Sequence, residues 1–424
     1  MPTFVRNLYS MYWKKLSRKA IKQRIDEALS ENANYRKGKV MGVPASYLDN
    51  ELFYDDAPFL EDSPFLKTLV ANPNHIGVHT LGEETEEIFK GTQKIEAELI
   101  ELISTQIFKA KPNSTDGYIA PGGTEANIEA IWIYRNYFMQ QFGAKNDEIA
   151  LVYSQDSHYS MPKGANLLLL DTFPVKVDEE TRNINIDDFD NQIQSALNSG
   201  KKYFIFILNM ATTMFGSVDD IDAVLPVIKK HNLNYKIHVD AAFGGFIYPF
   251  TNTDNKLTFE REEISSFTLD GHKMLQAPYG TGIFLIRKGM MQYSMTKEAQ
   301  YVMGKDYTLC GSRSGANAIV VWMILMIHGS NGWQAKMEQL IDKKDWVLEK
   351  LDKLGVEYYH NPCVNIVTIK SKYISPFLMK KYFLVPDTHD NQPNWHKFIV
   401  MSHVSQGVLD EFIMDFKAEL QMKQ

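Results

Sequence analysis

The chain has 424 residues, 44% of them hydrophobic, and a formal net charge of −7. That composition buries one large core and a smaller satellite, and the acidic balance argues against general nucleic-acid binding. The two cysteines, Cys310 and Cys363, give neither a disulfide framework nor a metal-ligand spacing, and the longest apolar run, the ten residues Ala318 to Ile327, falls short of the ~20 that span a bilayer. A cytoplasmic protein without bound metal, nucleic acid or membrane is expected.

The first forty residues are locally basic (Arg6, Lys14, Lys15, Arg18, Lys19, Lys22, Arg24, Arg36, Lys37, Lys39) but lack the apolar core and cleavage site of a secretory signal. Helical spacing over 12–30 predicts an arm that packs on a partner subunit. Pro44, Pro58, Pro64 and Pro73 predict an irregular stretch over 31–80. His75 and His79 then precede Thr80, which with Glu83 makes a capping-box pattern for a helix over 84–108. Imidazoles there are candidates to meet a substrate carboxylate, ordinary loop histidines being the competing reading.

Residues Tyr118 to Asn127 read YIAPGGTEAN and lead into an apolar-periodic helix through Ile128, Ile131, Trp132 and Tyr134. Gly122 and Gly123 let the backbone approach a ligand, Thr124 adds a hydroxyl, and the new helix offers free N–H groups and the positive end of its dipole. This is a phosphate seat, with a plain Gly-Gly turn as the alternative, because neither familiar phosphate-loop pattern is present. A strand over 149–153 leads into SHYSMPKGA, where His158 either stacks on a planar ring or is a hydrogen-bonded structural residue.

Runs at 167–170, 203–208, 235–239, 266–269 and 282–286 read as short buried strands with helical patterns between several of them, which predicts an α/β fold with a mostly parallel sheet. Ligands on such sheets sit at the carboxyl ends of strands. There stand His158, the pair Thr212 and Thr213, Asp240 with Ala242, and His272 with Lys273. Asp240 reads as a helix cap or the partner of a buried cation, and Gly244 and Gly245 disfavour the cap. Lys273, in a Gly/Pro-rich turn between two apolar runs, is placed to form a Schiff base with an aldehyde cofactor. Beyond 314 come a helix through Trp322, a helical run over 337–354, strand-like runs over 364–370 and 397–401, and a closing helix from Gln406. The expected division is an arm and loop region (1–80), a large domain (81–313) and a small C-terminal α/β domain (314–424).

Taken in order, PGGTEAN, SHYSMPKGAN, ATTMFGSVDD, HVDAAFGG, DGHKML and CGSRSG resemble the pyridoxal-phosphate-dependent group II amino-acid decarboxylases of the aspartate-aminotransferase fold, fold type I. Through HYS, GHKM and GSR-x-G the likeness is greatest to the histidine and serine decarboxylase branch. The resemblance covers roughly 75–330. It implies pyridoxal 5'-phosphate as cofactor, a homodimer, and a role at each matching position. Lys273 would carry the Schiff base, Asp240 would pair with the pyridine nitrogen, and His158 and Ala242 would lie on the two faces of the ring. Gly123, Thr124 and His272 would hold the phosphate, and Thr213 or Thr212 would bond near the phenolic oxygen or the substrate.

The reaction implied is loss of the α-carboxylate from an L-amino acid with a polar or aromatic side chain. Competing readings are a carbon–carbon lyase or aminotransferase on the same cofactor, and a non-catalytic scaffold. Aminotransferases of this fold generally hold the carboxylate with an arginine of the small domain, and no arginine follows Arg313 here. A bidentate partner would stabilise the ground-state carboxylate rather than its departure. The α-carbon then needs a proton, for which Tyr301 matches the branch best among Tyr293, Tyr301 and Tyr307. Arg313 is expected near the active-site mouth or dimer seam. Two departures stand out: Ala211 replaces a usual glycine, and Asp270 places a carboxylate near the phosphate where the branch has serine.

Overall fold

The computed structural model describes residues 13–32, 63–77, 87–295 and 306–423, so His79, the Thr80 and Glu83 pattern, and Tyr301 lie outside the described residues. The chain opens with helices α1 (Arg18–Glu31), α2 (Pro64–Ala71) and α3 (Lys90–Leu102), followed by β1 (Thr115–Ala120), α4 (Gly123–Phe142), β2 (Ile149–Ser154), α5 (Ser160–Leu168) and β3 (Asp171–Val175). Next come α6 (Ile186–Asn198), β4 (Tyr203–Asn209), α7 (Ile221–Lys230), β5 (Asn234–Asp240), α8 (Tyr248–Thr251), β6 (Ile264–Asp270) and β7 (Gly282–Arg287). The C-terminal part holds α9 (Gly315–Lys353), β8 (Tyr358–His360), β9 (Ile366–Lys370), α10 (Pro376–Tyr382), β10 (Val385–Pro386), β11 (Trp395–Ile399) and α11 (Gln406–Lys423).

A seven-stranded, mostly parallel sheet has the order β1-β7-β6-β5-β4-β2-β3, with β1 antiparallel to β7. β2 runs parallel to β3 and β4, and β4 parallel to β5. An antiparallel sheet of order β10-β11-β9-β8 follows. Among the described residues no helix is long and apolar enough to cross a membrane.

The chain divides into two compact units. The first draws on 1–136, 258–266 and 270–333. In it α1 starts on Ser17, whose hydroxyl accepts from Ala20 N, and buries Ile21, Ile25 and Ala28. This is the expected basic arm, and it packs on its own chain: Arg24 pairs with Glu98, Lys94 with Glu31, and Asn32 Oδ1 accepts from Gly91 N at 2.9 Å. Within α9, Gly329 takes φ 64 and ψ 174, so two helices meet there at a break.

The second unit draws on 137–257, 267–269 and 334–424. Its central strands β4 and β5 carry the aromatic and β-branched residues that suit a buried sheet. Asn185 and Asp220 cap α6 and α7 by accepting from Asp188 N and Asp222 N, each cap contributing about 1 kcal/mol, and Lys229 and Lys230 close α7 at the negative end of its dipole. Leu351, Val367, Ile369, Leu378, Leu409 and Phe416 form a separate core in the C-terminal part.

Three expectations change. The 167–170 run is no strand: it ends α5, Leu169 takes φ 55 as the left-handed cap, and the strand begins at Asp171. Leu167 and Leu169 are 62% and 79% exposed while Leu168 and Leu170 are buried, so only half of the run faces the core, and periodicity cannot separate such short runs. Pro64 starts a helix instead of breaking one, because its missing N–H is free at the first turn. The helix expected over 84–108 is regular from Lys90 and widens into a π turn over Ile103–Ile107.

Candidate active site

In the first unit, β6 delivers Asp270 to the start of a tight turn that returns through β7. Gly271 N donates to Thr281 O at 2.7 Å, Ala277 N to Gly271 O at 2.9 Å, and Asn317 Nδ2 to Gly280 O at 2.6 Å, which fixes the backbone around Lys273. Lys273 lies in this turn between two buried strands, as expected, with its side chain 33% exposed and Nζ 3.0 Å from Asp270 Oδ2. His272 Nε2 lies 3.6 Å from the same oxygen. Asp270 Oδ1 and His272 Nδ1 are buried without a hydrogen-bond partner. Facing them is the start of α4, where a methyl group on Gly123 would stand 2.9 Å from Asp270 Oδ2 and one on Gly122 4.0 Å from His272 Cε1. Lys273, His272 and Gly123, with Thr124 next in α4, therefore share one locality.

The same unit holds a second charged cluster. Arg313 Nη1 donates to Glu96 Oε1 at 2.5 Å and to Ile119 O at 3.0 Å, and Nη2 to Gly77 O at 2.6 Å. Glu96 Oε1 accepts from Ile119 N at 2.8 Å, and Oε2 lies 2.7 Å from His75 Nδ1, whose Nε2 meets Thr92 Oγ1 at 2.8 Å. Burial opposes ionisation of Glu96, yet Arg313 and His75 hold its carboxyl far below the usual range. The expectation that His75 meets a substrate carboxylate is corrected here: His75 is 0% exposed and its ring is held by Glu96 and Thr92, and Arg313, expected near the active-site mouth or dimer seam, is 6% exposed and turned to Glu96 and the backbone. Nearby, Tyr118 OH donates to Glu125, which burial pushes up to about 7. Tyr293 and Tyr307 are buried.

In the second unit, His158 follows β2. Its Nδ1 accepts from Ser160 N at 3.2 Å and lies 2.9 Å from Ser160 Oγ, while its ring lies 4.0 Å from that of Tyr159. Beyond β4, Ala211 takes φ 70, the conformation for which glycine is usual, and so its departure from the family pattern carries strain. Thr212 is 3% exposed and its hydroxyl is shared with Ser217 Oγ at 2.7 Å. Thr213 is exposed and its carbonyl accepts from Lys397 Nζ at 2.6 Å. Asp240 ends β5, is 6% exposed, and accepts from Ala242 N at 3.1 Å. This is a turn bond and not a helix cap, since the helical turn that follows, Gly244–Phe246, has Phe243 at its cap position.

A cavity of about 690 Å³ opens beside His158 and Thr213. Phe215 and Trp395 wall it, in edge contact at 5.7 Å. Arg182 pairs with both oxygens of Asp156 and lays its guanidinium 3.9 Å over the Phe215 ring, and Lys370 lies 3.8 Å from the Trp395 ring centre. None of these was singled out in the sequence, since they come from loops and strands far apart in the chain. Asp219, pushed up to about 7 by burial, accepts from Asn209, which donates to Ser157 Oγ at 3.0 Å beside His158. Among the described residues no cluster of three metal-ligating side chains occurs.

The chain belongs to the pyridoxal-dependent decarboxylases: the conserved domain of that family matches residues 93–366. It is 46% identical over 406 residues to the tryptophan decarboxylase of Clostridium sporogenes, covering 96% of this chain and 97% of that protein. It is 30% identical over 266 residues to the histidine decarboxylase of Vibrio campbellii, covering 62% and 65%. In fold it is similar to an L-methionine decarboxylase from Streptomyces sp.590 (TM-score 0.69, 18% identity, 94% of this chain and 93% of that one) and to the glutamate decarboxylase of Lactobacillus brevis (TM-score 0.68, 17%, 99% and 95%). The protein is therefore a fold type I, pyridoxal-phosphate-dependent amino-acid decarboxylase. The residues fit that cofactor: Lys273 offers the amine, Gly122 and Gly123 leave room at a helix end, and His272 Nδ1 is a buried group still lacking a partner.

Proposed function

We propose that the substrate is an L-amino acid with a large aromatic side chain, of the tryptophan class, converted to its amine and CO2. The observation that carries this reading is the 46% identity to a tryptophan decarboxylase along 96% of the chain. The cavity beside His158, walled by Phe215 and Trp395, supports it, because a flat aromatic ring gains most from edge and face contacts with other rings.

When bound, the cofactor supplies an aldehyde to anchor an amine and a protonated ring that draws electrons from the α-carbon. Lys273 supplies the anchoring amine. Asp240, at the end of β5, would keep the proton on the ring nitrogen through its carboxylate charge. His158 and Ala242 would flank the ring and exclude water. Gly123, Thr124 and His272 would hold the phosphate and Thr213 would bond near the phenolic oxygen, while Thr212 shapes the turn. No arginine follows Arg313, so no guanidinium from that part of the chain stabilises the carboxylate that must leave. Tyr301 returns a proton to the α-carbon. We also assign a homodimer, with 1–80 as its packing region, 81–313 as the large domain and 314–424 as the small one; sedimentation at the monomer mass would overturn the dimer.

The test is CO2 and amine release from L-tryptophan, L-phenylalanine, L-tyrosine, L-histidine, L-serine and L-aspartate. The expected kcat/KM favours an aromatic substrate by ~10²-fold or more, the range a shaped apolar pocket delivers. Preference for serine, aspartate or histidine overturns the reading.

A further inference from the structure

Asp270 is 3% exposed, and the oxygen that meets Lys273 Nζ at 3.0 Å also lies where a methyl on Gly123 would come within 2.9 Å. The carboxylate therefore rests against the first residue of α4, the amide end assigned above to the phosphate. Within this unit Lys273 and His272 are the titratable groups set against it. A charged carboxylate and a phosphate dianion repel each other strongly in a buried site. The Lys273 ammonium, for its part, must lose a proton before its nitrogen can attack an aldehyde.

We propose that one proton transfer meets both needs, with Asp270 as the positioning residue that receives it. The Nζ–H bond breaks and the Oδ2–H bond forms. The lone pair left on Nζ makes the C–N bond to the aldehyde carbon, and the carbonyl oxygen leaves as water with the two hydrogens remaining on nitrogen. Asp270 is then neutral and stands beside the phosphate without repulsion. The orphaned Oδ1 gains a use as well, since a neutral carboxyl can share hydrogen bonds with a phosphate oxygen. Asp270 thus couples the protonation of Lys273 to loading of the cofactor.

This inference rests on the cofactor seat proposed above, and its test separates the two. Titration calorimetry of the cofactor-free protein with pyridoxal 5'-phosphate, in buffers of different ionisation enthalpy, counts protons exchanged per site. Wild type should retain one proton more per site than Asp270→Asn and Asp270→Ser, and the same difference should appear as a Kd that in the variants falls tenfold per pH unit relative to wild type. A measurement that needs no variant is the infrared difference spectrum of wild type on loading, which should gain a protonated-carboxyl band. Covalent binding with equal proton numbers, or no such band, overturns this inference alone. Absence of any Lys273-dependent visible absorbance overturns the seat and this inference together.

Discussion

The first unit buries the same chemical trio twice: a carboxylate, a cation and an imidazole. In one copy, Glu96 with Arg313 and His75, both carboxylate oxygens and both ring nitrogens carry partners, and Ile119 is held through its N–H and its carbonyl. In the other, Asp270 with Lys273 and His272, one carboxylate oxygen and one ring nitrogen are buried and unmet. Unmet polar atoms in a dry site cost free energy unless something arrives to pair with them. Arg313 Nε is also unmet, but the carboxylate and imidazole of that trio are fully paired, so it reads as structure, and the trio whose carboxylate and imidazole are both left short reads as a site.

Breaking each trio should give opposite phenotypes. Lys273→Ala should lower activity by at least ~10³-fold and abolish the visible absorbance of the loaded protein, with Tm nearly unchanged because the side chain is one-third exposed. Glu96→Ala should instead cost about 3–5 kcal/mol, because Arg313 is left buried and unpaired. The sign with pH follows from the depressed Glu96 carboxyl: its contribution is present above the ordinary carboxyl range and disappears as pH falls through the depressed value. Thermal unfolding measures both, and a Glu96→Ala protein as stable as wild type would sink the distinction between the trios.

Glu125 tests a third case, a buried acid that accepts from the Tyr118 hydroxyl. Burial raises it to about 7, so the folded protein holds this proton longer than the unfolded chain does. Its stabilising share is complete below the unfolded carboxyl range and is lost as pH rises through about 7. Glu125→Gln, which mimics the protonated form, should match wild type at acidic pH and exceed it by ~2–3 kcal/mol at alkaline pH. Parallel Tm profiles of the two proteins would reject the buried-proton assignment.

The order of strands and the turn residues were legible because they are local. Seven of the eight runs that read as strands fall on strands, and Lys273, His272, Asp240, His158 and the Gly-Gly turn each sit where a strand or turn signal put them. What failed was either a short apolar run that is only half buried, as at Leu167 to Leu170, or a polar residue whose partner is remote in sequence. Nothing near Arg313 announces Glu96, 217 residues away, and nothing near Phe215 announces Arg182 or Trp395. Satisfaction is a property of pairs, so the two trios look alike until both partners are placed.

The smallest effect concerns backbone rather than charge. Ala211 holds φ 70 between Met210, whose N–H donates to Asp240 O at 2.8 Å, and the buried Thr212. A left-handed alanine costs about 1–2 kcal/mol, which a glycine replacement would relieve, less the share lost to the greater freedom of the unfolded chain. Ala211→Gly should therefore raise stability by up to about 1 kcal/mol, seen as a small increase in Tm. Because Met210 ties this turn to Asp240, the same substitution tests whether the strain is held for function: a lower kcat at unchanged KM alongside the higher Tm would mean that the strained turn positions Asp240 and Thr213, whereas equal kcat would make Ala211 a tolerated cost of the fold.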